Sequence, residues 1–530
     1  MRRRLLMLAI ACAALLAALV GSTTRGAAGA VSDQSQNYIV LYKSQSVPAT
    51  AARAIQQAGG TLVYAYGQIG VAVARSADAS FRSKLLQADP SVENAAATAG
   101  FATQVEDDEA SGPPPGDLPN APASDTDSLS PLQWDMRQIH APEAHAITGG
   151  SPAVLVGDID TGIDFNHPDL AQNIDVADSA NCVGGAPVPG LAAQDDDGHG
   201  THTAGTIAAA SNGMGIVGVA PNVRIAGIKA GDSAGFFFPE AVVCAFVWAG
   251  THHVDVANNS YFADPYLFNC RNDPVQRAIW KAEQRAILFA EQNGVTVVAA
   301  AGNESEDLAH PSVDATSPDN ATPETRAVTN ACVVIPVEVP GVIGVTADGN
   351  RRQNTQDPNA GYLKSFYSNV GEGVTQVVAP GGDSVFGSTP EAPNGRVLST
   401  WPPNIPCRRS VQEPTNDPNE PTAVYCYLQG TSMAAPHAAG VAALIVSRFG
   451  SLNSPQNGKM RPDQVKAFLD QTADPQPCPA TLPPTYESFF GVGTESGTFA
   501  QCQGGPGYNS WYGNGQVDAF NAVTHGSGNQ

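Results

Sequence analysis

From about Leu132 onward the chain alternates two patterns, and this alternation limits the fold more than any other feature of the sequence. Short apolar runs at residues 154–156, 223–228, 254–257, 295–301, 342–345 and 374–379 show no polar alternation, as expected of strands buried on both faces. Between and after them lie small-residue or helix-period stretches at 199–210, 276–293, 432–449 and 462–472. Alternating strands and helices predict a three-layer α/β/α domain, an open and mainly parallel sheet with helices on both faces. Functional residues of such sheets gather at the carboxyl ends of strands. No internal repeat is visible.

Ahead of this domain the pattern changes. Residues 37–42 read as a strand, 51–58 as a helix closed by Gly59-Gly60, 61–74 as β-rich, and 80–88 as a second helix. Such a small unit is marginal alone and is expected to lean on another surface. Between 104 and 131 the chain is acidic and proline-rich with no Lys or Arg, which predicts an extended linker open to proteolysis. At the start, Arg2-Arg-Arg4, an apolar run over 5–20 and Ala28-Gly29-Ala30 fit a secretory signal peptide with its cleavage site. The run is short for a membrane span, and no later stretch is long enough. The expected organisation is therefore a signal at 1–30, a small unit at 31–103, the linker at 104–131 and the main domain at 132–530.

Composition narrows the partners. A net charge of −23 gives a surface that repels phosphate backbones, so nucleic acid is not expected, and without a long apolar stretch neither is a membrane. With 42% hydrophobic and 15% charged residues, the chain is neither disordered throughout nor a coiled coil. Once Cys12 leaves with the signal, Cys182, Cys244, Cys270, Cys332, Cys407, Cys426, Cys478 and Cys502 remain. An even count in an exported chain predicts disulfides. Cys407–Cys426 and Cys478–Cys502 would each close a local Pro-rich loop, while the pairing of the other four stays open. No C-x-x-C is present to suggest a zinc ribbon or a thioredoxin-like site.

Three segments carry chemistry. Asp160-Thr-Gly-Ile-Asp164 follows a buried run; alone, Asp160 reads equally well as a turn or capping residue. An aspartic protease would need a second such triplet to share a proton, and there is none. Asp197-Gly-His199-Gly-Thr-His202 gives His199 glycines on both sides and a helix to follow, although a lone His is ordinarily structural. His202, His252 and His253 are read as structural. Gly430-Thr-Ser432-Met-Ala-Ala-Pro-His437 sets Ser432 at a helix start, where free N–H groups favour a developing oxyanion or, more plainly, where Ser caps a helix. Ala434 breaks the Gly-x-Ser-x-Gly elbow of α/β-hydrolases.

Taken together, in this order and in these extended motifs, the three segments resemble the subtilisin-like serine proteases, the subtilases (peptidase S8). The resemblance runs from about Leu132 to Val523, and Tyr512-Gly-Asn-Gly-Gln-Val-Asp518 is similar to how many subtilase domains end. It implies a subtilisin-like fold, preceded by a small ferredoxin-like α+β propeptide of the I9 inhibitor type that acts as chaperone and inhibitor. It implies a secreted, monomeric zymogen cutting protein or peptide substrates. Ser432 would be the nucleophile, His199 the general base and Asp160 its orienting carboxylate. Asn303, in Ala299-Ala-Ala-Gly302-Asn303-Glu304, matches the family's oxyanion-hole residue.

The resemblance also assigns Ser260, Tyr261 and Phe262 to the segment that pairs with substrate, and Ala300, Gly302 and Asn303 to the S1 pocket. Phe262 replaces a usual glycine, which either narrows that pocket or points away. Glu304 either biases it toward basic side chains or is a solvated rim carboxylate. A structural Ca²⁺ is implied at Asp169 with Ala210, Asn212, Met214 and Ile216, all offering hard oxygen donors. The usual amino-terminal ligand is not evident, with Ser130 near its place. No organic cofactor is expected. A catalytically inert, subtilase-like binding protein is the alternative from another class, but such members usually lack one of the four site residues, and all four are present. Specificity for one proprotein against broad cleavage stays open.

Overall fold

The computed structural model describes residues 35–98, 125–263, 266–317, 324–357, 359–416, 418, 420–489 and 500–525. The expected signal at 1–30 and the linker up to 124 lie outside these residues. Residues 36–97 form β1 (Gln36–Tyr42), α1 (Ala51–Gln57), β2 (Thr61–Tyr66), β3 (Val71–Ser76), α2 (Phe81–Ala88) and β4 (Val92–Ala97). The sheet is antiparallel with order β2-β3-β1-β4, the expected ferredoxin-like α+β arrangement. Strand alternation divides its side chains. Tyr38, Val40, Tyr42, Ala72 and Ala74 pack with Ile55, Phe81 and Leu85 of α1 and α2. Ile39, Leu41, Val71 and Val73 face the other way and join the main domain's core. Both faces are therefore buried, which is why β1 reads as a continuous apolar run. Glu93 pairs with Lys281 at 2.6 Å, and Arg285 donates to the Tyr42 carbonyl at 3.0 Å.

The main sheet contains β5 (Leu155–Asp160), β6 (Arg224–Lys229), β7 (Val256–Asn259), β8 (Thr296–Ala300), β9 (Ile343–Arg352) and β10 (Thr375–Pro380). Neighbours run parallel in the order β10-β9-β8-β7-β5-β6. All six apolar runs are strands of this one sheet. The chain starts at β5, adds β6 on one side and then builds outward on the other, so the topological switch falls at the carboxyl end of β5. Residues 346–352 extend β9 past the apolar run, and its far end pairs with Tyr362–Lys364 antiparallel.

Two helical layers cover the sheet. One holds α4 (Pro239–Thr251) and α5 (Pro274–Gln292). The other holds α3 (His199–Ala208), α6 (Thr431–Phe449), α7 (Pro462–Thr472) and α8 (Ala519–Thr524). The sequence reading did not name α4. Twelve of its residues, 239–250, are buried, so it has no polar face and leaves no helical period to read. The insertion at 392–421 forms β11 (Val397–Trp401) and β12 (Ser410–Pro414), which flank β13 (Thr422–Leu428) in a small antiparallel sheet. Its prolines had suggested only loop. No helix among the described residues is long and apolar enough to cross a membrane.

Four disulfides are formed: Cys407–Cys426 and Cys478–Cys502 as expected, with Cys182–Cys244 and Cys270–Cys332 resolving the open pairing. Cys182–Cys244 anchors α4 to the segment after β5 across a sequence separation of 62. Loop closure of that size predicts that replacing both cysteines with alanine lowers the unfolding free energy by about 2–4 kcal/mol. Urea titration of the two proteins checks this; equal midpoints and slopes would contradict it.

Candidate active site

Asp160 ends β5 at the switch point and is fully buried. Its Oδ1 lies 2.6 Å from His199 Nδ1 and accepts the Thr161 N–H at 2.7 Å. Burial pushes the Asp160 carboxyl up, while the facing His199 pulls it back. His199 opens α3 behind Gly198, whose φ of +111° suits only glycine; a Cβ there would sit 2.4 Å from the Trp401 ring. Asp195 shapes this turn, accepting from the N–H of Gly198 (3.0 Å) and from the N–H and O–H of Thr201 (2.9 and 2.6 Å). The sequence reading missed Asp195, although Asp195-Asp-Asp-Gly198 is a turn signature. Burial lifts the neighbouring Asp197 to about 6.

Ser432 is the second residue of α6, whose flank packs on α3. Its backbone N–H is one of the free donors of a helix start. Pro436 stands four residues on and has no N–H to return, so the Ser432 carbonyl lacks its helical partner. The Ser260 hydroxyl takes that place at 2.9 Å, while the Ser432 hydroxyl donates to the Ser260 carbonyl at 3.1 Å. Asn303, just past β8, has its Oδ1 held by the N–H and O–H of Thr431 at 2.8 and 2.9 Å. That fixes which end of the amide is the donor end, and Thr431 is a residue the sequence reading did not single out.

The expected pocket residues divide. Ser260 and Gly302 join the same network, with the Gly302 N–H donating to Thr431 Oγ1 at 3.0 Å. Ala300 is the last residue of β8 and is 4% exposed. Tyr261 is buried, stacked on Phe237 at 4.2 Å, and its hydroxyl donates to Asn259 Oδ1. Phe262 is partly buried and packs against the core cluster that holds α4 and α5. The Glu304 carboxylate accepts from Asn369 Nδ2 at 2.6 Å, which makes it part of the loop's own bonding. His202 bonds the Cys426 carbonyl and burial lowers it to about 3, and His252 stacks on Trp248; both are structural, as read.

The residues assigned to calcium also come together. Asp169 is buried, and its carboxylate accepts from the Ile216 N–H (2.9 Å), the Tyr425 O–H (3.1 Å) and Asn212 Nδ2 (3.2 Å). The Ala210 N–H donates to the Asp169 carbonyl at 2.8 Å, and the Met214 N–H to Asn212 Oδ1 at 3.0 Å. Residues 127–129 meet this loop from the amino-terminal side, and the carboxylate among them is that of Asp127, whose Oδ2 accepts the Asn212 N–H at 2.9 Å. Burial pushes both Asp127 and Asp169 up, and each raises the other or is raised by acidic neighbours. No lysine or arginine among the described residues pairs with either. Two buried carboxylates and the Asn212 side-chain amide bring together hard oxygen donors of the kind Ca²⁺ takes.

The profile described as the subtilase family, peptidase S8, matches residues 151–515. Fervidolysin of Fervidobacterium pennivorans is 28% identical over 356 residues, which is 66% of this chain and 41% of fervidolysin, so this chain spans less than half of that relative's length. Subtilisin DY of Bacillus licheniformis is 32% identical over 304 residues, 57% of this chain and 80% of that protein. Among solved structures, the epidermin leader peptide processing serine protease of Staphylococcus aureus superposes with a TM-score of 0.62 at 21% identity, covering 94% of this chain and all of that one. Fervidolysin itself superposes with a TM-score of 0.61 at 22% identity, covering 92% of this chain and 61% of its own. At that identity the two superpositions speak for the fold.

Proposed function

Because this chain belongs to the subtilase family, we propose that it is a serine endopeptidase made as a secreted zymogen. The observation that carries the reading is the 2.6 Å contact of His199 Nδ1 with buried Asp160, set at the switch point of the sheet beside the start of α6. Ser432 Oγ attacks the scissile carbonyl and passes its proton to His199 Nε2, which later delivers it to the leaving amine. Asp160 holds the Nδ1–H tautomer and stabilises the imidazolium. The tetrahedral oxyanion is met by the Ser432 backbone N–H and by Asn303 Nδ2, pre-aimed because Thr431 holds the other end of that amide. The segment 260–262 offers backbone for an extended peptide to join as an added strand.

In this reading residues 36–97 are the inhibitory propeptide, supported by the way their sheet buries one face on α4 and α5. Disulfides suit an extracellular protein. Asp169, Asp127, Asn212 and the carbonyls of Ala210, Met214 and Ile216 would hold a structural Ca²⁺, whose charge offsets two buried carboxylates and braces the loop after α3.

Purified Val31–Gln530 should cut itself between residues 95 and 131, and the Ser432→Ala protein should stay whole by intact mass; equal cleavage of both would remove Ser432 from the mechanism. Asn303→Ala should lower kcat by about 10²–10³-fold with a small change in KM, the loss typical of removing one oxyanion donor. Chelation should lower the thermal midpoint of the wild type, and Asp169→Ala should abolish most of that sensitivity. A midpoint indifferent to chelation would discard the calcium site.

A further inference from the structure

We propose that Asp158 is a positioning residue of this active site: buried hydrogen bonds through its carboxyl tie the helix that carries His199 to the strand that leads to Ser260 and Ser432. The inference rests on the proteolytic reading above. Asp158 lies two residues before Asp160 on β5, so both side chains leave the same face, and both are fully buried. Its Oδ2 stands 2.7 Å from Oγ1 of Thr203, four residues after His199 and hence on the same face of α3. Its Oδ1 accepts from Asn258 Nδ2 of β7 at 2.9 Å. That amide also reaches Ser260 Oγ at 3.1 Å, and the Ser260 hydroxyl donates to the Ser432 carbonyl that Pro436 leaves open. One carboxyl group thus joins the segments bearing all three reacting side chains.

Protonation follows from the surroundings. Two carboxyl groups two residues apart on one strand face and out of water disfavour each other's ionisation, and His199 is the cation that faces them. Asp160 has the direct contact with His199, and burial pushes Asp158 well up from the carboxylate range, with Asp160 adding to the rise. As the neutral acid, Asp158 donates its O–H to Thr203 Oγ1, and the Thr203 O–H passes to the Gly200 carbonyl at 3.0 Å. Asn258 still donates to the remaining Asp158 oxygen. Each proton of the chain then has an acceptor, and Asp160 remains the anion that faces the imidazole. An asparagine at 158 could repeat this pattern, its amide donating to Thr203 and its oxygen accepting from Asn258; valine could not.

The test compares Asp158→Asn and Asp158→Val in the full chain. The asparagine protein should keep kcat and KM within about threefold and an unchanged acidic limb in its pH profile. The valine protein should lose about 10–100-fold in kcat with little change in KM, the scale of a misplaced catalytic group. Wild-type kcat in the valine protein would overturn the proposal, as would a shifted acidic limb in the asparagine protein, which would mean that Asp158 acts as a charge. If the valine protein does not fold, Thr203→Val should lose kcat and Thr203→Ser recover it; equal rates would overturn the link. If the wild type cleaves no peptide, the proteolytic reading falls separately. The downfield ¹H resonance of His199 Nδ1–H then reads the link alone, expected unchanged with asparagine and displaced with valine; an undisplaced resonance with valine would overturn it.

Discussion

The burial of α6 is the constraint on which the rest of the structure depends. Residues 431–447 are all buried, and the helix lies against β5, β7, β8, β9 and β10 as well as α3 and α7. Such contact on many sides requires small side chains: a Cβ on Gly440 would stand 2.5 Å from Val219 Cβ, and alanines fill most other contact positions. The same helix sets Ser432 within its first turn. Pro436, ordinarily disruptive inside a helix, frees one carbonyl there and hands it to Ser260. Packing and site geometry are thus settled by one segment, because the helix cannot slide without opening the core on several sides.

A second theme is how this interior treats acids. With a net charge of −23 the chain has carboxylates in excess, and several lie out of water. Some of them find different answers. Asp255 pairs with Lys459 at 2.8 Å, a buried ion pair whose loss on one side would leave the other uncompensated. Asp160 has the His199 ring, Asp195 a cluster of backbone and hydroxyl donors, and Asp127 with Asp169 the donor set that suits a cation. Low dielectric makes every such arrangement strong when complete and costly when broken. The centre around β5 is therefore fixed before any substrate arrives, which is the condition for electrostatic catalysis.

Much of this was legible in the sequence because it is written locally. The six apolar runs are the six parallel strands, and the Asp160, His199 and Ser432 segments each sit at the end of a strand or the start of a helix, as their flanking glycines and small residues suggested. What escaped was written non-locally. Thr431 and Asp158 act through partners far along the chain, and nothing in their own neighbourhoods shows it, whereas Asp195 carried a local turn signature that went unread. Phe262 was read only against the expected pocket, and its packing on the core under α4 depends on partners no local pattern names. The sheet at 397–428 was hidden by prolines, which here fall largely between strands and at a strand end, where no ladder bond is lost. Asp127 was not singled out because an acidic linker offers no local mark of which carboxylate turns inward.

The amino-terminal unit and α4 explain one another. A surface helix of an ordinary domain keeps a polar stripe, yet α4 is apolar almost throughout. Its inner side meets the sheet, while the core cluster on its outer side continues into Ile39, Leu41, Val71 and Val73. The small unit is likewise two-faced: α1 and α2 cover one side of its sheet and the main domain covers the other. Neither surface suits water alone, so each supplies the other's missing layer, and residues 35–530 form one compact unit. At ~25 cal/mol per Å² of apolar area removed from water, even a few hundred Å² of this contact contribute several kcal/mol to holding the unit in place. The proposed inhibitor needs no separate binding motif. The strand alternation that folds it also presents the face that docks, and for that reason folding and inhibition would be two results of one pattern.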